Sequence, residues 1–136
     1  MIRRSLLAAV VALGLPRTAH AGEEEAAASV NISGVGLPVI AEGRVRNYVF
    51  VSLRLHLGRG ANAEAVRSKE AHFRDALVRA AHRTPFTVAQ DWTRLNAQAM
   101  SASLLAAGTA IAGRGAVARV EIVGQSPRRR TGVRTG

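Results

Sequence analysis

The 136-residue chain has no cysteine. That excludes disulfide staples, thiolate metal sites and a lipidated cysteine anchor, so the domain stands on its apolar core alone. Lysine is nearly absent as well, with Lys69 the lone example among 19 basic residues. A preference for arginine this complete reflects base composition more readily than bidentate recognition. No apolar run is long. The one near the start, residues 5–15, has eleven residues and falls short of the roughly 18 needed to span a bilayer.

That short run belongs to a three-part start. Arg3 and Arg4 precede it, Pro16 ends it, and Ala19-His20-Ala21 has the small-x-small form that a signal peptidase reads. Residues 1–21 are therefore expected to be an export signal cleaved after Ala21, placing the mature protein in the periplasm. The adjacent arginines before Ser5-Leu6-Leu7 also resemble a twin-arginine signal, with Leu6 where that motif most often has Phe. These residues leave both routes open. Loss of Arg3, Arg4 and Arg17 brings the net charge from +10 to +7. Export excludes nucleic acid as the ordinary partner of so basic a chain and leaves anionic lipid, glycan or protein faces. The alternative is that the charge keeps an alanine-rich domain soluble.

The mature chain is organised around residues 44–83. From Val45 to Leu57 every second residue is apolar except Asn47, the period-2 mark of a strand with one buried face. Residues 37–41 form a second strand, which Pro38 restricts to a strand start or an edge, and Glu42-Gly43-Arg44 makes the tight turn between the two. Residues 22–36 read as a flexible leader, although Val30 and Ile32 alternate with polar neighbours. Gly58-Arg59-Gly60-Ala61 and Gly113-Arg114-Gly115-Ala116 read as two turns with the same letters. The first lacks the spacing of either glycine-rich nucleotide motif.

Asn62 is the expected N-cap of a helix over 63–83, whose stripe is Val66, Phe73, Leu77 and Ala80 or Ala81. A second helix is expected from an Asp91 cap, with Trp92, Leu95, Ala99 and Ala102 or Ser103 buried and Gly108 as its stop. Residues 116–125 alternate again, with Ala118, Val120 and Ile122 on one face, and should pair with 45–57 in mid-sheet. The expected fold is α+β: two layers, an antiparallel sheet of about three strands packed against two helices. Residues 126–136, with Arg128, Arg129, Arg130 and Arg134, read as a disordered basic tail able to touch an anionic membrane surface.

Chemistry-bearing constellations are missing. His72 and His82 are ten residues apart on one helix, roughly 80° apart around its axis, so they cannot chelate a metal as an i,i+4 pair does. No Gly-x-Ser-x-Gly elbow occurs. The acidic residues Glu42, Glu70, Asp75, Asp91 and Glu121 are scattered in turns, pairs and caps. No cofactor and no catalytic residue is expected.

Three segments resemble one family. Arg46-Asn47-Tyr48-Val49-Phe50-Val51-Ser52-Leu53-Arg54-Leu55 resembles the long periplasmic strand of FliL-type flagellar basal-body-associated proteins. Phe73-Arg74-Asp75-Ala76-Leu77 is similar to that family's apolar-Arg-Asp-Ala-Leu helix segment. Val120-Glu121-Ile122-Val123-Gly124-Gln125 resembles its closing strand. The resemblance spans residues 37–125 and implies a domain beside the flagellar motor that works through a protein partner or self-association, with no catalytic residues to carry over. Family members usually keep a transmembrane helix, whereas here the apolar segment reads as cleaved. Tyr48 and Phe50, on the register opposite the apolar face, together with Arg54, are the candidate interface. The alternative places them in an ordinary two-layer core. A second candidate function is binding of anionic lipid or glycan through the arginines.

Overall fold

The structure, a computed structural model, describes residues 28–130. The expected export signal and Arg134 lie outside these residues. The fold is α+β, as the sequence implies: strands β1 (Ser29–Ala41), β2 (Arg44–Leu57) and β5 (Val117–Pro127) form an antiparallel sheet in the order β1-β2-β5. Helices α1 (Ala63–Arg67), α2 (Glu70–Arg83) and α3 (Ala97–Ala112) complete the main elements, with α2 resting on β1 and α3 on β5. A two-stranded sheet of β3 (Thr87–Val88) and β4 (Asp91–Leu95) lies between α2 and α3 in the chain. Among the described residues no helix is long and apolar enough to cross a membrane.

The β1–β2 hairpin closes through Glu42-Gly43, with φ of 58° and 73°, the two left-handed residues that match the right-handed twist of the flanking strands. Glu42 adopts this conformation without being glycine. It is held by an ion pair with Arg46, whose Nε also donates to the Ala41 carbonyl at 3.1 Å.

The leader expected to reach Gly36 is corrected. Ser29–Gly36 belongs to β1, and Val30, Ile32 and Val35 are buried. Their numbering hides the pattern, because the face changes from even to odd positions across Ser33-Gly34. A bulge there, with Gly34 at φ 71°, inserts one residue between the Ile32–Leu53 and Val35–Val51 pairs and keeps all three side chains inward. The same device corrects β5. A bulge opposite His56–Leu57 leaves Ala118 exposed and turns Val117 and Val120 inward.

The single helix over 63–83 is two. Asn62 Oδ1 accepts from the Ala65 N–H at 3.0 Å, as expected of a cap, but the first helix ends after Arg67. Ser68 Oγ donates to the Ala65 carbonyl at 2.7 Å, and Lys69 leaves the helical region at φ −101°, ψ 13°. The apolar stripe survives the break, with Val66, Phe73, Leu77, Ala80 and Ala81 all buried.

The second helix is also corrected. Asp91 starts β4 rather than a helix. Its Oδ1 accepts from the Thr93 N–H at 3.0 Å and the Thr93 hydroxyl at 2.6 Å, closing an Asx turn just after Gln90 at φ 62°. Asn96 is the true cap, accepting from the Ala99 N–H at 2.9 Å, and the buried face of α3 is Met100, Leu104 and Gly108. Gly108 does not stop the helix; Gly113, at φ 101°, does. The core lies between the inner sheet face and α2 and α3, where Leu37, Val49, Val51, Leu55, Phe73, Leu77 and Leu104 are buried. Each such side chain contributes about 1.5–3 kcal/mol of burial.

Candidate protein-contact surface

Val49, Val51, Leu53 and Leu55 point into the core, so the residues between them face away from the helices. This outer face has two halves. The first is aromatic. Tyr48 is 36 % and Phe50 45 % exposed, and Phe50 is flanked across the sheet by Gly36 and Ser126. Neither small neighbour can cover a ring. The Phe50 ring instead lies against Gly36, where an added Cβ would meet its edge at 3.2 Å.

The second half is polar and internally paired. Arg54 Nε donates to Asn31 Oδ1 at 3.0 Å, and its Nη1 lies 3.7 Å from Glu121 Oε1. The same carboxylate oxygen is 2.8 Å from His56 Nε2. Glu121 therefore titrates below the usual glutamate range: the His56 hydrogen bond is the largest cause and outweighs the opposing effect of burial, with smaller help from the Arg54 and Arg119 guanidinium charges. Arg54 is thus engaged across three strands, whereas Tyr48 and Phe50 present free ring surface.

The basic segment after β5 is corrected in part. Ser126 and Pro127 belong to β5, the Arg128 N–H donates to the Tyr48 carbonyl at 2.8 Å, and Arg129 is pinned by Asn47. Arg128, Arg129 and Arg130 are exposed, and Arg128 and Arg129 line a recess together with Tyr48. The structure therefore brings Tyr48, Phe50 and Arg128 together, with Arg54 further along β2.

Asn47, the polar break in the alternation of β2, is 4 % exposed and uses its whole amide. Nδ2 donates to the Trp92 carbonyl at 2.8 Å and the Arg129 carbonyl at 3.1 Å. Oδ1 accepts from the Tyr48 N–H at 2.9 Å and the Arg129 N–H at 3.1 Å. One side chain thereby fixes the backbone beneath Tyr48, the small sheet and the start of the basic segment. Its only signal in the sequence is a polar residue at an apolar phase. Trp92, expected on a helix, lies on β4 with the Arg46 guanidinium 5.1 Å above its ring.

Among the described residues no group of three or more His, Cys, Asp or Glu side chains is placed to hold a metal. His56 lies on the sheet, while His72 and His82 lie on α2, the latter with Nδ1 2.9 Å from the Val78 carbonyl. Comparison with protein families, curated proteins and solved structures gives no match to this chain.

Proposed function

We propose that this domain is a non-enzymatic module acting through protein contact, with the aromatic half of the outer sheet face as the contact surface. The carrying observation is Phe50, 45 % exposed on a rigid central strand between Gly36 and Ser126. Aromatic side chains held rigid by a sheet lose little entropy when a partner covers them, and arginines at the rim complement an acidic partner. Arg128, exposed and bonded through its N–H to the Tyr48 carbonyl, provides such a rim. The resemblance to FliL-type proteins directs the search for that partner to the periplasm beside the flagellar motor, with a second copy of the chain as the other occupant.

The test is association measured by ultracentrifugation and by capture of motor components, with wild type, Phe50→Ala and Tyr48→Ala compared. Both variants keep the far-ultraviolet circular dichroism of wild type and lose at least about tenfold in association, the range of a hot-spot aromatic. A deletion strain swims poorly in soft agar with normal filament number. Unchanged association in both variants removes this surface from the reading, and unchanged swimming removes the motor.

The exposed side chains of Arg128, Arg129 and Arg130 favour a second reading, contact with an anionic lipid or glycan surface. Charge-driven binding of that kind falls steeply between low and physiological ionic strength and survives Phe50→Ala, whereas contact through Phe50 is lost in that variant.

A further inference from the structure

The two Gly-Arg-Gly-Ala segments, 55 positions apart in the chain, meet at one end of the fold. Each is a turn closed by the same bond: the Ala61 N–H donates to the Gly58 carbonyl at 3.1 Å, and the Ala116 N–H to the Gly113 carbonyl at 3.2 Å. The third residue of each is left-handed, Gly60 at φ 81° and Gly115 at φ 78°, the signature of a type II turn with arginine at the leading corner. The Gly58 N–H donates to the Ala116 carbonyl at 2.9 Å. The turns sit so close that a Cβ on Gly58 would lie 1.9 Å from the Gly115 carbonyl oxygen.

Between them and the α1–α2 break is a cleft of about 420 Å³ lined by Arg59, Gly60, Lys69, Arg114 and Gly115, with Ile111 on its apolar side. Three cations line it, and among the described residues none of Arg59, Lys69 or Arg114 forms an ion pair or a side-chain hydrogen bond with a protein group. Elsewhere half of the described arginines are paired: Arg46, Arg54, Arg67, Arg74, Arg79 and Arg94 each face a carboxylate. The break at Lys69, which interrupts an otherwise continuous apolar helix stripe, puts the lone lysine in the lining of the same cleft as the two turn arginines.

We propose that this cleft is a binding site for a phosphomonoester, with Arg59 and Arg114 on the phosphate oxygens and Lys69 supplying the third positive charge. Two guanidinium forks and one ammonium match a compact dianion better than a single carboxylate. The cleft is larger than a phosphate group and has an apolar side, so it takes the sugar or glycerol that carries the phosphate as well. A soluble sugar phosphate and a phosphomonoester lipid headgroup present the same chemistry. The site is remote from Tyr48 and Phe50, and its occupancy does not depend on the contact surface.

The test uses the full-length protein and compares wild type, the double variant Arg59→Ala/Arg114→Ala, and the segment variant Arg128→Ala/Arg130→Ala. Amide chemical shifts are followed on titration with glucose 6-phosphate, with sodium chloride at equal ionic strength as reference. Cosedimentation is measured with phosphatidylcholine vesicles with and without phosphatidic acid. The expected result is selective movement of the Gly60 and Gly115 amides in wild type and in the segment variant, weakened at least about tenfold in the double variant. Both mutated arginines are exposed at turn corners, and unchanged circular dichroism checks that the double variant folds. Vesicle binding that needs phosphatidic acid and both turn arginines, without glucose 6-phosphate binding, supports the site and assigns the lipid source. The proposal is overturned if neither probe binds, if sodium chloride moves the same amides equally, or if the double variant binds as wild type does.

Discussion

Gln125 binds Leu95 as a neighbouring strand would: Oε1 accepts the Leu95 N–H at 2.7 Å, and Nε2 donates to the Leu95 carbonyl at 3.1 Å. The side-chain amide of β5 thereby substitutes for a strand backbone and joins the small sheet to the large one just before the α3 cap. Thr87 does the same on the other side, its hydroxyl donating to the Ile40 carbonyl at 2.7 Å and accepting the Ile40 N–H at 3.2 Å. Asn47 supplies the third link. The small sheet is placed by hydrogen bonds from side chains of the large sheet and back to it, not by a shared ladder.

Replacing Gln125 with alanine leaves both backbone groups of buried Leu95 without partners. The expected cost is about 2 kcal/mol, from the desolvation of two unsatisfied groups partly recovered by water. Urea denaturation checks it, and a midpoint equal to that of wild type would show that Gln125 does not hold β4.

Asn47→Asp keeps the size and both acceptors but removes the donors to the Trp92 and Arg129 carbonyls. An ionised carboxylate only accepts, so two carbonyl oxygens would face a negative charge, while a protonated one regains one donor. The variant is expected to lose about 2–4 kcal/mol at pH 7, with a smaller deficit relative to wild type near pH 4. A deficit that grows on acidification would contradict the hydrogen-bond account.

Glu121 and Asp91 both titrate below the ordinary carboxylate range, Asp91 chiefly through the hydrogen bond from the Thr93 hydroxyl and then from the Thr93 N–H. A folded-state value below the unfolded one means that each ionised group stabilises the fold. The contribution is complete above the unfolded values of about 4 and disappears as pH falls through the lower folded values. The stability difference between wild type and Glu121→Gln should therefore be constant just above pH 5 and shrink towards pH 3. A difference that stays constant to pH 3 would remove Glu121 from the linkage.

Gly58→Ala drives a methyl group into the Gly115 carbonyl oxygen, whereas Gly124→Ala meets no atom within 4 Å. The first should destabilise by about 2–3 kcal/mol or more, since backbone rather than a flexible side chain has to move, and the second by under about 1 kcal/mol. Thermal melts of the pair decide this, and equal melting temperatures would contradict the close packing of the two turns.

Much of the fold is legible in the residues because short-range periodicity controls it. The inner face of β2 from Val49 to Leu55 and the stripe of Val66, Phe73, Leu77 and Ala80 follow from burial acting at two fixed periods. The same logic misplaces β1, since a single bulge at Gly34 reverses which positions point inward. It also misplaces Asp91, an acceptable cap by composition, whose carboxylate closes a turn onto Thr93 instead.

The aromatic face is visible as the opposite register of β2, but its exposure is not. That depends on Gly36 and Ser126, brought beside Phe50 from 14 positions before it and 76 after it in the chain. The roles of Asn47, Gln125 and Thr87 are hidden for the same reason, each being a polar side chain bound to backbone 30 or more positions away. Local pattern governs which face of each element is buried, because solvent exclusion acts along a single strand or helix. Bulges, side-chain links and the meeting of two identical turns emerge only on packing, because hydrogen bonds and close contacts need partners that the chain supplies from a distance.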